Sequence, residues 1–467
     1  IEGLRSGGIA SYISSNSWLR ANYASGLRRF LRQYVYVRLL VDLGDNRVFE
    51  DAPDLYPAIH VVEKGHTTSP TNAATFNRGE GLESFAERLP HKLVTISIHD
   101  QRDEAWQLED DSQQALFKKL ASMGIPLEEV ALGQIYYGIK TGLNDVFVIP
   151  ESVRRKLIES DPGSRKIIKP FLGGANLRPY YQAFEGQWLL FTRKGCNIDS
   201  YPAVKEYLQY YRTQLEPRPR DWPRDQRWAG RKPGAYEWYE LQDTVDYFEA
   251  FSKPKIMWPD ITKFPRFSWD ESGYYLGNTG YILVTQDKWL LAYLNSRCAW
   301  YLISRLSIAL GERAGLQRYR LIDQYMRPLP VPNAPAEKQA ALADLAERLT
   351  AAANARFLLH RETRHRMSSD LGSPGVRLNE KLINWWELDF ADFRREVKTA
   401  LKREIPVRER SDWEHYMGTA RQSYEAYTAD IVRMETELNS IVYGLFDLSP
   451  QEIKTIEEST KYRYGEI

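Results

Sequence analysis

The sequence predicts an α+β protein of several domains: the closing part of an α/β sheet, a mixed β-rich middle, and a C-terminal helical bundle or hairpin. Three observations carry this. Strand-like runs and one amphipathic helix alternate over residues 1–64. From Gln134 to Asp270, short β-prone runs alternate with glycine, proline and asparagine turns, with aromatics and arginines interleaved. Beyond Pro332 the chain turns to long stretches of alanine, leucine and charged residues at helical spacing. A chain of 467 residues suffices for two or three domains. We divide it into a sheet portion (1–64), a connector (65–130), the β-rich middle (131–333) and the helical part (334–467).

Composition narrows the function. With 43% hydrophobic and 27% charged residues the chain can bury real cores and is not a disordered polymer. A formal net charge of +1 gives little global steering, so any basic surface is local. Cys196 and Cys298 lie far apart, which argues against a paired zinc or redox site or a disulfide framework and fits a reducing cytoplasm. No apolar run reaches membrane-spanning length and no signal peptide is expected. The chain has no GxSxG elbow and no HExxH, and no carboxylate spacing selects a catalytic pair. His91, His99 and Asp100 lack the further clustered ligands of a metal site. The 29 tyrosines and 13 tryptophans suit a stacking surface, although many must be core.

Taken in order, Ile9, Tyr12 and Ile13 read as a strand and Ser14–Ser17 as a loop. Tyr23 to Val35 carries Tyr23, Leu27, Phe30, Leu31 and Tyr34 at helical spacing, with Arg28, Arg29 and Arg32 opposite. Val37–Gly44 and Pro57–Lys64 are two more strands. Gly65 to Gly81 reads as a loop, Leu89–Asp100 holds a strand, and Asp110–Val130 is helical. IYY (135–137) and DVFVIP (145–150) are strand-like and flank GIKTGLN (Gly138–Asn144), where exposed N–H groups beside Lys140 and Thr141 can hold a phosphate, or form an ordinary β-turn. Arg178 follows a Gly-Gly-Ala-Asn-Leu turn and suits a phosphate, a guanine edge or a salt bridge. Arg193, Lys194 and Asn197 follow the strand-like Gln187–Phe191; Asn197 can pair with adenine or cap the next turn.

Arg212 to Lys232 is the strongest charge run. Arg218, Arg220, Arg224, Arg227 and Arg231 surround Trp222 and Trp228, and prolines break any helix. We expect a flexible basic loop that orders in a groove, or a solvated loop on packed tryptophans. Lys253, Lys255, Lys263 and Arg266 flank the KIMWPDI strand as phosphate candidates. Asn278 and Thr279 occupy a glycine-bounded loop able to touch a base edge. Asp260, near a strand end, is the best isolated acid and reads as structural. Asp287–Ala309 is expected to be one amphipathic helix, followed by Arg313, Arg318 and Arg320 around a glycine-bearing turn. Helices follow at Ala336–Arg366, Phe390–Glu404 and Trp413–Tyr443, packed antiparallel. SPQE (449–452) is a helix start, with Ser449 as cap and Pro450 at the first position.

These motifs resemble a known family. Residues 1–64 are similar to the tail of an adenine-N6 DNA methyltransferase of the Eco57I and TaqI type. In that resemblance Phe49 stands where an aromatic helps hold a flipped adenine, as a ring beside a strand end can; a core phenylalanine is the alternative. GIKTGLNDVFVI, KIIKPFLGGANLRPY, WYELQ and KPKIMWPDI, in that order over roughly 126–333, resemble the TaqI-like C-terminal target-recognition domain of type IIG restriction–modification enzymes and related phage-defence methyltransferases. The resemblance implies duplex DNA as partner and the cytoplasm of a bacterium or archaeon as location. It implies S-adenosylmethionine as cofactor of the complete enzyme and Mg2+ only where an upstream nuclease exists. The glycine-rich cofactor loop and the Asn-Pro-Pro-Tyr tetrapeptide of such enzymes do not occur here, so no catalytic residue is assigned. The catalytic part is expected upstream, in the same polypeptide or as a separate subunit. The alternative is a standalone specificity or scaffold subunit docking a separate catalytic subunit.

Overall fold

The structure, a computed structural model, describes every residue except 2, 45, 47, 53–54, 66–67, 77–81, 100, 102, 104–105, 107, 109–110, 224, 314, 374–375 and 467. The chain begins with a five-stranded sheet, ordered Ile9–Ser15, Pro57–Lys64, Val35–Asp42, Thr71–Thr75, Val94–Ile96. Pro57–Lys64 lies between the first two strands of the chain and antiparallel to both, so those two run in the same direction. The Ser25–Tyr34 helix joins them where a helix is expected, but its faces differ from the pattern: Arg28 is buried with Leu31, while Leu27 and Tyr34 are exposed. Val37, Leu40, Val62, Ala73 and Ile96 build the core with Trp18 and Trp106. Ile9–Ser15 forms one edge and leaves Ile9, Tyr12 and Ile13 half exposed (52%, 52% and 48%).

The expected loop over 65–81 holds a strand, Thr71–Thr75, running parallel to Leu39–Asp42. Its TNAAT sequence shows no alternation of apolar residues. What recruits it is the neighbour: Thr71 Oγ1 donates to the Val37 carbonyl at 2.6 Å, and the small Ala73 and Ala74 are buried. The sheet therefore continues past residue 64 into the connector.

The middle is built on two four-stranded sheets. One is ordered Ser268–Asp270, Lys255–Pro259, Gly280–Val284, Ile135–Tyr137; the other Tyr275–Leu276, Ile168–Leu172, Gln187–Leu190, Val148–Pro150. The expected strand at 145–150 is shorter than its pattern. Asn144–Phe147 first makes one helical turn, because Thr141 Oγ1 bonds Asn144 Oδ1 (2.6 Å) and accepts from the Leu143 amide (3.1 Å). The single helix expected over 287–309 is two, Lys288–Leu294 and Arg297–Leu306, followed by a hairpin of Ala309–Arg313 and Leu316–Arg320. Asn295 makes the break: its amide donates to the Phe267 and Leu291 carbonyls, while its oxygen accepts from the Phe267 amide. Ser296 then caps the second helix through Ala299. Neither helix is amphipathic in fact, since Trp289–Leu294 and Arg297–Ile303 are buried all round.

Ala336–Arg366 and Arg410–Leu445 are the two long helices. Arg356 bonds Thr428 at 2.8 Å and Tyr416 bonds Thr363 at 3.3 Å, so they run antiparallel, as expected. Phe390–Leu401 closes their far end around Trp385 and Trp413. Ser449 and Glu452 form the predicted capping box of a last helix, Pro450–Ser459. One hydrophobic core holds Trp258 and Leu283 of the middle together with Leu349, Ile431 and Leu438 of the long helices. No helix among the described residues is long and apolar enough to cross a membrane. Both cysteines are free thiols.

Candidate nucleic-acid interface

The Gly277–Gly280 turn sits where the two middle sheets meet, and backbone contacts lock it on every side. Gly138 donates to the Gly280 carbonyl (2.9 Å), Asn278 to Ile139 (3.0 Å), Gly277 to Leu172 (2.9 Å) and Asp260 to Thr279 (2.9 Å). The Gly174 amide donates to Thr279 Oγ1 at 2.8 Å. A Cβ on Gly138 would overlap the Gly277 carbonyl, so the approach needs glycine. Tyr137 OH closes the frame on the Asn278 carbonyl. The result is a rigid turn presenting a half-buried Asn278 and an exposed Thr279. Asp260 and Arg320 stand nearby: burial pushes the Asp260 carboxyl up, and Arg320 pulls it back.

Beside this turn, three basic segments dock on residues 237–243. The Lys140 amide donates to Asp243 Oδ2 at 3.1 Å. The Gly195 amide donates to Glu240 Oε1 at 2.6 Å, placing Arg193 over the Phe248 ring at 4.4 Å and leaving Lys194 exposed. The third segment is the arginine-rich loop, and it is folded rather than loose. A bridge between Pro217 and Arg231 closes it, Trp228 Nε1 donates to the Glu216 carbonyl at 3.0 Å, and Trp222 packs on Trp228 at 4.7 Å. Arg220 and Arg227 are exposed and Arg218 half-buried; Arg224 lies outside the described residues.

Several candidates belong to the scaffold instead. Arg231 is 4% exposed and donates to the carbonyls of Leu215, Thr141, Glu240, Glu237 and Trp238 at 2.7–3.1 Å. Burial pushes its guanidinium down to about 10. It clasps the loop and is not available to a phosphate. Lys255 is fully buried and paired with Asp270; burial pushes its ammonium down and Asp270 pulls it up. Thr141 is 1% exposed, with its hydroxyl committed to Asn144. Asn197 is exposed but caps its own turn, accepting from the Asp199 amide at 3.3 Å. Arg318 donates to the Leu310 carbonyl at 2.7 Å.

The remaining candidates lie elsewhere. Arg178 donates to the Ala175 and Leu177 carbonyls, Lys263 lies against Phe264 at 5.6 Å, and Arg313 pairs with Leu316 in the hairpin. Phe49 is 38% exposed on the first sheet's side. A cleft of about 140 Å³ separates that sheet from the hairpin, lined by Asn16, Asp42 and Tyr56 on one side and Gln317 and Tyr319 on the other. Phe49 is not among its lining residues. Sequence reading missed this cleft, because its two walls are some 300 positions apart and neither carries a motif.

Residues 169–331 match the TaqI-like C-terminal specificity domain family. The chain carries a TaqI-like specificity domain. The locked turn, the folded arginine loop and Arg178 all fall inside it. Residues 335–442, from the start of the first long helix almost to the end of the second, match a domain of unknown function, DUF8810. Among curated proteins the chain is similar to the type II methyltransferase M.XhoI of Xanthomonas vasicola, 27% identical over 368 residues, covering 73% of this chain and 63% of that protein. It is similar also to the type II methyltransferase M.BanIII of Aneurinibacillus aneurinilyticus, 21% identical over 394 residues, covering 74% and 64%. The chain thus spans less than two thirds of these relatives' length. Among solved structures it is similar to the type IIL restriction–modification enzyme MmeI in complex with DNA, at TM-score 0.49 and 11% identity, over 97% of this chain and 49% of that one. The family resemblance read from the sequence motifs is borne out by the specificity domain and the methyltransferase relatives.

Proposed function

We propose that this chain recognises a short sequence in duplex DNA as the specificity region of a restriction–modification adenine-N6 methyltransferase. The observation that carries it is the match of residues 169–331 to the specificity domain, over the segment that holds the locked turn, Arg193, Lys194 and the arginine loop. Asn278 and Thr279 read base edges: an amide side chain on a fixed backbone can meet adenine bidentately, and a hydroxyl meets either partner. Lys140, Arg193, Lys194, Arg218, Arg220 and Arg227 contact phosphates and set the register. Phe49 stacks on the extruded adenine. Curated relatives that are themselves methyltransferases favour this over a separate scaffold subunit.

S-adenosylmethionine is the expected cofactor of the whole enzyme. The residues present do not fit it. The cleft at the first sheet is about 140 Å³, below the roughly 300–1,000 Å³ typical of cofactor pockets. The carboxylate at its wall is already engaged, since Asp42 Oδ1 accepts from Asn16 Nδ2 (2.8 Å) and the Gly44 amide (2.9 Å). No methyl-transfer step is assigned to these residues.

The test is selection from a random duplex pool by the chain at low salt. One short motif should be enriched, and Asn278→Ala with Thr279→Ala should change or relax one position while affinity for unrelated duplex stays within about twofold, because phosphate contacts dominate non-specific binding. A pool that returns no motif sinks the proposal.

A further inference from the structure

The loop between Thr262 and Phe267 is pinned from two sides. On one side Tyr180 and Ser268 form a parallel bridge, and the Tyr180 amide donates to the Phe267 carbonyl at 2.8 Å. Arg178, two residues before Tyr180, and Arg266, two before Ser268, are thereby brought close enough for their charges to act on each other. On the other side Ile261 and Thr262 pair antiparallel with Arg320 and Tyr319. The loop therefore runs alongside the hairpin toward its turn, where Arg313 pairs with Leu316. Topology gathers three arginines from three separate segments.

Their chemistry is unfinished. Arg266 lies on the Phe264 ring at 4.8 Å, and its Nε is buried with no hydrogen-bond partner. Burial first, then Arg178 and more weakly Arg313, push its guanidinium down to about 10, against the pull of Tyr181 and, weaker still, of Glu466. Arg178 is oriented by the Ala175 and Leu177 carbonyls, and Arg313 is exposed. Among the described residues none of the three makes an ion pair. Like charges held together and partly desolvated destabilise a fold unless an anion joins them. Guanidinium forks match the oxygens of a phosphate.

We propose that Arg178, Arg266 and Arg313 form a binding site for one phosphate group, occupied by a backbone phosphodiester of the recognised DNA. The choice of occupant rests on the DNA-recognition reading; the site does not. The experiment uses the full chain, Arg266→Met, and the double variant Arg178→Gln with Arg313→Gln. Melting is followed in inorganic phosphate and in chloride at equal ionic strength. Wild type should melt higher in phosphate. Arg266→Met should melt above wild type in chloride, because a repelled and desolvated charge is gone, and should gain nothing from phosphate. Duplex binding is then titrated with salt. Both variants should bind every sequence about tenfold more weakly, and the slope of log affinity against log salt should fall by about 0.9 for each phosphate that is no longer neutralised. Loss of the phosphate response with an unchanged DNA slope would overturn the phosphodiester as occupant. An Arg266→Met chain that melts below wild type and keeps its phosphate response would overturn the site. A wild type that binds no duplex would overturn the DNA reading, and with it the occupant, while the melts still judge the site.

Discussion

Glu435 is buried and His360 half-buried, and each resists the charge it would carry in water. His360 packs against Trp386 at 4.4 Å and beside Tyr424, and burial with the charges of Arg364 and Arg356 pushes it from 6.5 down to about 3. Glu435 faces Tyr180, the Gly465 amide, Arg356 and Arg297, and burial raises it from 4.5 to about 7 despite those partners. The linkage signs are opposite. Below pH 6.5 the unfolded chain takes a proton that His360 refuses until about pH 3, so its contribution to stability falls as pH drops. Above pH 4.5 the unfolded chain releases a proton that Glu435 keeps to about pH 7, so its contribution falls as pH rises. Between pH 4.5 and 6.5 the two slopes oppose each other. Melts across that window should therefore tilt in opposite senses in the two variants. Relative to wild type, His360→Phe should lose stability toward higher pH, and Glu435→Gln should gain it. Parallel profiles for wild type and both variants would remove either group from the balance.

At the scale of elements, what is legible in the sequence follows regular spacing. The long helices show their apolar seam at a 3.6 period, and the Ser449–Glu452 cap is local, so both can be read directly. Thr71–Thr75 cannot, because its strand character comes from pairing with Leu39–Asp42 and not from its own residues. Charge misleads for a similar reason. Lys255 passes for a phosphate contact until the fold brings Asp270 to it, and Arg231 passes for one more cation in a basic run. Among the candidates the locked turn is half legible: its glycines are visible, their partners at Gly138 and Gly174 are not. Arg231 shows how an element depends on such a contact. Its guanidinium serves five carbonyls across three segments, whereas a lysine brings three donors on a point charge. Arg231→Lys should cost about 2–4 kcal/mol. It should also open residues 218–230 to trypsin at Arg220 and Arg227 before the rest of the chain is cut. A tryptic pattern unchanged from wild type would mean that the tryptophan pair alone holds the loop.

At the scale of the whole molecule, the specificity domain and the helices are not beads on a string. They share a core, and Lys119 of the connector reaches Glu452 of the last helix at 2.9 Å. The last residues then fasten the two parts together. Arg297, in the middle region, donates to the Thr460 carbonyl (2.7 Å) and the Tyr462 carbonyl (2.9 Å). Arg356, on the first long helix, donates to the Gly465 carbonyl at 2.8 Å, and the Gly465 amide donates to Glu435, on the second, at 2.6 Å. Three buried ionisable groups, Arg297, Arg356 and Glu435, thus find partners on one short tail. A hydrogen bond to a charged group contributes about 1.5–3 kcal/mol, and each kcal/mol moves the melting temperature by roughly 2–4 °C in a domain of 150–250 residues and by about half that in a chain of this length. Removing residues 460–467 should therefore lower the melting temperature by about 10 °C or more. The loss should carry a second signature that a merely shortened chain would lack. With the tail gone, water reaches Glu435, its carboxyl returns toward its ordinary range, and the fall in stability from pH 4.5 to 7 disappears. A truncated chain that melts lower yet keeps the Glu435 slope would show that the tail adds only buried area and does not seal the carboxyl between the two parts.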